Sequence, residues 1–472
     1  MGIIVSKFGG WANSTAERVK LACDLFEKNK KRKIKINSAI GKVEGLPKVT
    51  DLLIEGADAT IKTGEFPPDI LEKVRLNHYS VFEPLGISKD RIDLVINILV
   101  EYIKRKPDLS NDNFKALIVG SGEELFSRLD AIYMSEIRGL KARYVDPREI
   151  GHYLEGNPLD GKIRSESYEN LKRLLEFDEI VVYPGFFACD VKGRPMIYSR
   201  GGTDKTAADV SKAVGAEQYE NWKDVDGVYC TDPRIVKDPK QMVEVTYKEI
   251  RELSYISFNV LHQEAILPVM QADIPINLKN LLKPDSAGTM IVSKRSIDNQ
   301  NPVVGIAHLE NICFINIDKT LMNEEIGFVD NIFTIFREHR INIDQITTGI
   351  DSICLVISEK EFKEKSVYSG VSEGIRKEIN FDEFTNYLKT WLNADSVQIK
   401  RNKALLCVVG EGMKHSVGIL SRVTTALSKN GINIEILDQG PSERNIIIGI
   451  DCEEDKEVAK KAVNVLYNEF FK

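Results

Sequence analysis

The sequence predicts an α/β domain built on an open, mostly parallel sheet sandwiched by helices, followed by two copies of a small α+β unit. Two observations lead to this fold class. Over residues 1–295, short β-branched runs alternate with amphipathic helical segments, a pattern typical of parallel sheets with helical crossovers. Beyond residue 302 the chain repeats itself: Gly327 and Gly418 are 91 residues apart, as are Asn342 and Asn433.

The first element is an apolar run at residues 3–5, which predicts a buried strand. A lysine and two glycines follow it, and then a helix whose Ser14 and Glu17 are spaced as a capping box. Strand, glycine turn and helix N-terminus together offer backbone N–H groups to an anion. An ordinary turn is the alternative for this segment taken alone.

Further strands are predicted at residues 34–36, 116–119, 180–183 and 274–278, with helices between them. Because ligands bind at the carboxyl ends of parallel strands, the glycine turns mark the expected binding edge. Residues 41–49 form a Gly/Pro loop, and the polar residues 294–302 form a linker.

A second glycine turn lies in the segment RGGTDKTAADVSKAV, which begins at Arg200. Here Thr203 is placed to cap the helix that follows, and the arginine can grip a carboxylate with two hydrogen bonds. Two such turns, each with a cation and each opening a helix, favour a phosphate-handling site.

The third segment, residues 220–236, has no helical period and carries two turn signals. Trp222, Tyr229 and Arg234 therefore lie on loop or strand-end backbone. An aromatic ring with an arginine nearby suits an adenine and its phosphates, whereas a well-packed surface loop is the plainer interpretation.

The repeat pairs residues 326–344 with residues 417–435. Each copy has a preceding strand, a glycine that opens an amphipathic helix, and an Ile-Asn-Ile strand. The charged segment 359–391 between the copies predicts a connecting helix. Two such units without catalytic residues of their own indicate a binding or pairing module.

Composition excludes several classes of protein. The net charge of −7 gives no reason to expect nucleic-acid binding. No stretch has the roughly 18 apolar residues of a membrane span, and no secretory signal is present; the loose myristoylation match at the N-terminus falls on a strand that must be buried. Seven scattered cysteines, without a C-x-x-C pair, indicate reduced thiols in the cytoplasm and argue against structural zinc.

Several motifs together resemble the aspartokinases of the amino acid kinase superfamily: KFGG, SGEELFSRL, RGGTDKTA, WKDVDGVYCTDPR, VLHQEAILPV and IPINLKN, in this order. The two repeats resemble the paired ACT domains of these enzymes, and the resemblance covers essentially the whole chain. It implies an amino acid kinase domain over residues 1–295. A first ACT domain with linking segments is expected over 303–398, and a second over 399–472.

The resemblance implies an ATP- and Mg²⁺-dependent kinase that converts L-aspartate to 4-phospho-L-aspartate, the first step toward lysine, threonine and methionine. The enzyme is expected to be monofunctional, since the length leaves no room for a fused homoserine dehydrogenase. A cytoplasmic homodimer or homotetramer assembled through ACT domains, with lysine as feedback inhibitor, is also implied.

The resemblance assigns roles residue by residue. Lys7 and Asp204 are expected to be catalytic, and the expected ATP contacts are Lys7, Gly9, Gly10, Lys223, Asp224, Tyr229, Arg234 and Val260. The expected aspartate contacts are Thr50, Glu123, Arg200, Gly201, Gly202 and Thr203. The expected effector contacts are Met322, Glu325, Gly327, Phe328, Asn342, Ile343 and Asp344. No protein metal ligands are expected, since Mg²⁺ is held mainly by the ATP phosphates.

The implied chemistry agrees with the residue types. The β-carboxylate of aspartate is already ionised at neutral pH, so alignment and neutralisation of phosphoryl charge suffice without a general base. An acid and a cation, Glu123 and Arg200, suit a substrate with an ammonium and two carboxylates.

Two departures from the family pattern leave alternatives open. Trp11-Ala12 replaces the usual Thr-Ser after KFGG, and Asn259 replaces a lysine. Another kinase of this fold, acting on glutamate or carbamate, is one alternative. An amino-acid sensor with a degraded catalytic site is the other.

Overall fold

The computed structural model describes residues 2–199, 201–256, 263–297, 301–363, 379–453, 455 and 457–472. They form two compact units. The first contains residues 2–228, 241–251 and 263–295, and the second contains 229–240, 252–256 and the described residues from 296 onward. Among the residues described, no helix combines the length and apolarity needed to cross a membrane.

The strands up to residue 292 are β1 (Ile4–Phe8), β2 (Arg32–Asn37), β3 (Ala142–Tyr144), β4 (Leu154–Asn157), β5 (Asp160–Ile163), β6 (Ile180–Pro184), β7 (Phe187–Cys189), β8 (Pro195–Ile197), β9 (Gln218–Lys223), β10 (Glu244–Thr246), β11 (Ile276–Asn280) and β12 (Thr289–Val292). The α-helices are α1 (Ala16–Lys28), α2 (Val49–Thr63), α3 (Pro68–Phe82), α4 (Lys89–Lys104), α5 (Asn111–Ile132), α6 (Pro147–Ile150), α7 (Ser165–Leu171), α8 (Gly202–Val214), α9 (Tyr247–Ile256) and α10 (Gln263–Gln271).

The first unit is organised around an eight-stranded sheet in the order β10-β12-β11-β9-β1-β2-β6-β3. Neighbouring strands are parallel except β11 and β12. β1 lies in the interior of the sheet and all five of its residues are buried, as expected for a strand with both faces covered. The carboxyl ends of β1 and β9 therefore lie side by side, with Lys7 opposite Asn221.

One predicted strand is wrong. Residues 116–119 lie in α5, a 22-residue helix whose residues 113–127 are all buried. A short apolar run has the same signature in a buried strand and in a helix that is covered on all sides. The consequence is that Glu123 lies on a buried helix.

Two predicted helix caps are also wrong. Thr15, one residue after Ser14, caps α1 by accepting the Arg18 N–H. The Ser14 hydroxyl instead donates to the Trp11 carbonyl at 2.9 Å. At α8 the cap position is Gly201, with φ of +81°, a left-handed conformation that glycine adopts readily. Thr203 lies one residue inside the helix and accepts a hydrogen bond from the Ser38 hydroxyl at 2.9 Å.

The later elements are β13 (Gly305–Asp318), α11 (Phe328–Glu338), β14 (Gln345–Thr348), β15 (Ser352–Ser358), α12 (Phe381–Leu392), β16 (Ser396–Val409), α13 (Ile419–Lys429), β17 (Ile436–Asp438), β18 (Asn445–Asp451) and α14 (Val458–Phe471). They build an antiparallel sheet in the order β14-β15-β13-β16-β18-β17. The two long central strands pair along both repeats, because β13 meets β15 through Ile312–Asp318 and meets the far end of β16 through Gly305–Leu309.

The two copies of the repeat have similar local structures. Gly327 and Gly418 precede α11 and α13 with φ of +87° and +88°. The predicted Ile-Asn-Ile strands begin later than expected, at Gln345 and Ile436. The reason is that the first isoleucine of each copy closes the preceding helix through its backbone N–H, at 2.9 Å from the Phe336 oxygen in the first copy. The domain limits 1–295, 303–398 and 399–472 stay predictions.

The segment between the repeats is helical only in part. A 3₁₀ turn at Glu359–Phe362 and α12 are present, and residues 364–378 lie outside the described part of the chain. In the predicted linker, the described residues 294–297 form neither helix nor strand.

Candidate active site

The predicted catalytic pair meets where β1, β9 and α8 converge. The Lys7 ammonium lies 2.7 Å from the Asp204 carboxylate, and the two side chains are 8% and 15% exposed. Asn221 on β9 donates its amide N–H to the same carboxylate oxygen at 2.9 Å. The Tyr219 hydroxyl, one pleat back along β9, lies 3.1 Å from the Asn221 amide nitrogen. The carboxylate of Asp204 is thereby fixed between two strands.

The electrostatics of this cluster leave a surplus of positive charge. Burial by itself raises the pKa of Asp204, but the charges of Lys7 and Lys223 outweigh it and hold the pKa below its usual value. Burial lowers the pKa of Lys223, the nearby Asp204 charge raises it, Lys7 lowers it further, and Asp224, which is exposed, raises it. Two ammonium groups around one carboxylate form a site for an anion with several charges.

The glycine turn after β1 is packed backbone to backbone against the loop after β2. The Gly41 N–H donates to the Gly10 carbonyl at 2.9 Å. A Cβ on Gly41 would lie 2.5 Å from the Gly10 carbonyl carbon, too close for any side chain. Gly9 is open by comparison, with the Lys7 ammonium 3.4 Å from its Cβ position. The two loops therefore bring their backbones to the end of β1 that carries Lys7.

A buried carboxylate lies beside the same loops. Glu123 on α5 is 4% exposed, and its Oε2 makes no hydrogen bond with the described residues. Burial raises its pKa to about 8, although the backbone N–H of Ala39 hydrogen-bonds the carboxylate and opposes the shift. An acceptor left without a donor in a protein interior is costly. Glu123 is therefore suited to a cationic ligand.

Loop 38–39 connects Glu123 with the start of α8. Its Ala39 hydrogen-bonds Glu123, and its Ser38 hydroxyl donates to Thr203. Thr50 lies in the first turn of α2, next to Val49, whose side chain is 3.4 Å from the Cβ position of Gly122. The predicted aspartate contacts Glu123 and Thr203 are thus joined through this loop, and Thr50 lies on α2, which packs against α5.

The remaining predicted contacts lie on other segments of the chain, and some fall outside the described residues. Asp224 is exposed after the end of β9. Tyr229 and Arg234 belong to the second unit, where Arg234 is 87% exposed and pairs with Asp232 at 2.6 Å. Arg200, Val260 and the departure at Asn259 fall outside the described residues.

The other departure, Trp11-Ala12, fills space beside the glycine turn. The Arg18 guanidinium stacks on the Trp11 ring, 4.0 Å from its centroid, and also donates to the Trp11 carbonyl at 3.2 Å. Ala12 is 1% exposed in the core. These two residues therefore brace the turn by packing.

Sequence reasoning missed Tyr219, Asn221 and Ser38. A signal was present, because Tyr219, Asn221 and Lys223 alternate along β9 and so share one face of a buried strand. Polar residues at every second position of a buried strand indicate a polar site at that face.

The predicted effector residues lie in the second unit. Met322 and Phe328 are buried, Glu325 pairs with Lys319, and Gly327 opens α11. In the other predicted segment, the Asp344 carboxylate accepts the Ser358 N–H at 2.9 Å and the Asn342 N–H donates to Glu361 at 3.1 Å. Ile343 between them is partly buried.

Comparison with known proteins decides the family. Residues 2–280 match the amino acid kinase family, and residues 406–470 match the ACT domain. Aspartokinase 3 of Bacillus subtilis is 36% identical over 472 residues, which cover 99% of this chain and 98% of that protein. The chain belongs to the aspartokinases.

Solved aspartokinases have the same fold. Clostridium acetobutylicum aspartate kinase superposes with a TM-score of 0.84 at 32% identity, over 99% of this chain and 100% of that one. Escherichia coli aspartokinase III, in complex with aspartate and ADP or with lysine and aspartate, gives TM-scores of 0.74 and 0.75 at 22% and 23% identity, over all of both chains. The predicted family and fold class are confirmed.

Proposed function

We propose that this aspartokinase transfers the γ-phosphoryl group of ATP to the β-carboxylate of L-aspartate, giving 4-phospho-L-aspartate and ADP. The observation that carries the proposal is the arrangement of charge in the first unit. A cluster with two ammonium groups, Lys7 and Lys223, surrounds Asp204, and the buried Glu123 carboxylate offers an oxygen that no described residue bonds. The first suits a polyphosphate, and the second suits the ammonium of an amino acid.

The residues take separate roles in this proposal. Lys7 and Lys223 neutralise the charge of the transferred phosphoryl group, and Asp204 holds both ammonium groups in place. The backbone N–H groups of Gly201, Gly202 and Thr203 at the start of α8 face anionic oxygens. The substrate carboxylate needs no general base, because it is ionised before the reaction.

The remaining contacts of both substrates are proposed from the family pattern. Aspartate is bound by Thr50, Glu123, Arg200 and the turn at 201–203. ATP is bound by Lys7, Gly9, Gly10, Lys223, Asp224, Tyr229, Arg234 and Val260. Mg²⁺ is assigned to the ATP phosphates, where it supplies further neutralisation of charge; the surplus positive charge around Asp204 suits such a phosphate group.

Regulation is proposed for the second unit. Lysine binds at Met322, Glu325, Gly327, Phe328 and residues 342–344, and the ACT repeats pair between subunits of a homodimer or homotetramer. Escherichia coli aspartokinase III, which has this fold, has been crystallised with lysine. We place the enzyme in the cytoplasm, where it catalyses the first step toward lysine, threonine and methionine.

The departure at Trp11 favours one rival function, that of a sensor without catalysis. Its ring is held by Arg18 at a position where the family usually offers a hydroxyl near the phosphates. Packing of the Trp11 ring stabilises the turn but provides no hydrogen-bond donor to a phosphate.

One assay separates the candidates. The purified chain is supplied with ATP and Mg²⁺, and ADP release is followed with L-aspartate, with L-glutamate and without an acceptor. Hydroxylamine traps the acyl phosphate as a hydroxamate, which identifies the product. Turnover and hydroxamate with aspartate alone are expected. Turnover with glutamate would indicate the other kinase class, and turnover with neither would indicate the sensor.

A further inference from the structure

A buried ion pair lies on the strand that leads into loop 38–39. The Lys35 ammonium on β2 is 2.7 Å and 2.8 Å from the two carboxylate oxygens of Asp130 on α5, and the side chains are 1% and 0% exposed. The rings of Phe8 and Phe26 have their centroids 5.2 Å and 5.9 Å from the same ammonium. Desolvating a charge pair is costly, and apolar side chains of similar volume often give an equally stable fold. Stability alone therefore does not account for this pair.

The same carboxylate holds the end of β2. Asn37 lies on the same face of the strand as Lys35, because side chains alternate along a strand. The Asn37 amide nitrogen donates to Asp130 Oδ2 at 2.8 Å. This side chain is fully buried, and its Oδ1 makes no hydrogen bond with the described residues. Among the described residues, the bond to Asp130 therefore orients the amide.

The loop that joins the two ends of the proposed aspartate site begins at the next residue, since Asn37 is the last residue of β2. The Ser38 hydroxyl donates to Thr203 at 2.9 Å, and the Ala39 N–H hydrogen-bonds the Glu123 carboxylate. In the proposed function, Glu123 binds the substrate ammonium, and Thr203 belongs to the turn that faces anionic oxygens. A displacement of the end of β2 would therefore change the spacing between these two groups.

Helix α5 contacts both the strand and the loop with one of its faces. Glu123 and Asp130 are about two helical turns apart on this buried helix, so they share a face. Asp130 bonds the end of β2, and Glu123 bonds the loop that follows it. The helix thereby fixes the strand end and the loop relative to each other.

We propose that Asp130 is a positioning residue for the acceptor substrate, because its bond to Asn37 holds loop 38–39 between Glu123 and Thr203. Lys35 compensates the buried charge of Asp130. Both residues of the ion pair act on the substrate through the loop. The inference rests on the proposed function, in which aspartate is the acceptor. It implies that aspartate binding depends on the Asp130–Asn37 bond more strongly than ATP binding does.

The test compares two double variants of the full chain, both of which remove both charges. Lys35→Met with Asp130→Asn keeps an amide oxygen that can accept from Asn37, whereas Lys35→Met with Asp130→Leu offers no acceptor. Neither leaves an unpaired buried charge, which would be strongly destabilising. KM for aspartate should rise about tenfold in the Asp130→Leu double variant, because substrate-positioning groups are displaced. It should stay near the wild-type value in the Asp130→Asn double variant, and KM for ATP should stay near wild type in both.

A second measurement needs no turnover. Amide hydrogen exchange is followed by mass spectrometry over residues 38–41, where the Gly41 N–H donates to the Gly10 carbonyl. Exchange should be about tenfold faster than in wild type in the Asp130→Leu double variant, since the loop opens more readily, and unchanged in the Asp130→Asn double variant. Asn37→Ala removes the same hydrogen bond while keeping the ion pair, so it should reproduce the Asp130→Leu result. Circular dichroism melts check that all three variants fold.

A higher KM for aspartate and faster loop exchange in the Asp130→Leu double variant and in Asn37→Ala, with neither change in the Asp130→Asn double variant, support the inference. It is overturned if the two double variants share the same KM for aspartate or the same loop exchange, or if KM for ATP rises equally. A wild type that turns over no aspartate would contradict the proposed function instead. The exchange comparison then still decides whether Asp130 positions the loop.

Discussion

Lys7 forms an ion pair with Asp204, and its ammonium lies at the turn that follows β1. We expect Lys7→Met to lower kcat at least 100-fold, about 2.7 kcal/mol of transition-state stabilisation. The reason is that, of the two proposed ammonium groups, only Lys223 then remains to neutralise the transferred phosphoryl group. The measurement is steady-state ADP release with aspartate.

A matched control is Lys31→Met, which breaks the exposed pair with Glu217 at the other end of the sheet. Exposed pairs of this kind contribute about 0–1 kcal/mol to stability, so kcat and melting temperature should stay near the wild-type values. If Lys7→Met keeps a normal kcat, Lys7 is not at the transferred phosphoryl group.

Glu123 makes a different prediction, because its carboxylate is proposed to hold the ammonium of aspartate. Glu123→Gln keeps the shape of the side chain and removes the charge, so KM for aspartate should rise at least tenfold while KM for ATP changes little. Initial rates with each substrate varied in turn give both constants. Equal effects on the two would make Glu123 a structural residue.

The raised pKa of Glu123 also predicts a pH dependence. The carboxyl group is protonated below about pH 8, and only its ionised form attracts an ammonium. KM for aspartate should therefore fall as pH rises toward 8, by at most about tenfold per unit, and Glu123→Gln should remove this trend. The free energy of unfolding should change in the opposite direction. Because the folded state keeps this proton to a higher pH than the unfolded chain, the contribution of Glu123 to stability declines as pH rises from 4.5 to about 8. Glu123→Gln should therefore raise the melting temperature at pH 8 relative to wild type.

For individual residues, the sequence identified the charged groups of the site better than their hydrogen-bond partners. Lys7 and Asp204 flank recognisable glycine turns, so their proximity follows once both turns are placed at one edge of the sheet. Asn221 and Tyr219 carry no such motif. Their role depends on the register between β1 and β9, which is a tertiary property.

Among the elements, the two loops that follow β1 and β2 approach each other closely beside the site. Gly41→Ala would place a Cβ 2.5 Å from the Gly10 carbonyl carbon, forcing the loops apart. We expect a loss of about 1–3 kcal/mol in the free energy of unfolding, as for other overpacked sites, and a kcat/KM at least tenfold lower because the turn beside Lys7 shifts. Chemical denaturation and steady-state kinetics measure the two effects.

The same loop offers the control. Gly45 has φ of +74° and open space around its Cβ position, and asparagine tolerates this conformation. Gly45→Asn should leave both quantities near wild type. A fully active and stable Gly41→Ala would mean that the two loops are free to separate.

Element types were predictable where the local pattern is unambiguous. The β-branched runs at 34–36 and 180–183 are strands, as predicted, because such short runs between turns do not suit a helix. The run at 116–119 has the same composition but continues into a long helix. This helix is buried because other elements of the fold cover it on all sides, and the residues of the run alone do not indicate this.

For the whole molecule, the surface of the first repeat bears on assembly. Ile326 is 102% exposed, and Val329 and Phe333, which follow at helical spacing, are 39% and 42% exposed. An apolar stripe of this kind is typical of an interface. We expect sedimentation velocity to show a dimer or tetramer, and Phe333→Glu to dissociate it, since a buried unpaired charge is unfavourable. Leu94→Glu, at an exposed leucine on α4, is the control and should keep the assembly of the wild type; a monomeric wild type would contradict the proposed pairing.

Feedback inhibition is the second property of the whole molecule. The Asp344 carboxylate is proposed to pair with the α-ammonium of lysine while also accepting the Ser358 N–H. Asp344→Asn preserves that acceptor and removes the charge, so the lysine concentration for half inhibition should rise about tenfold to a hundredfold, as expected for a charged hydrogen bond worth about 1.5–3 kcal/mol. Glu435→Gln, the same type of change at the repeat counterpart, should leave lysine inhibition unaltered. Kinase activity measured against added lysine and threonine tests this; equal inhibition of wild type and Asp344→Asn by lysine would place the effector site elsewhere.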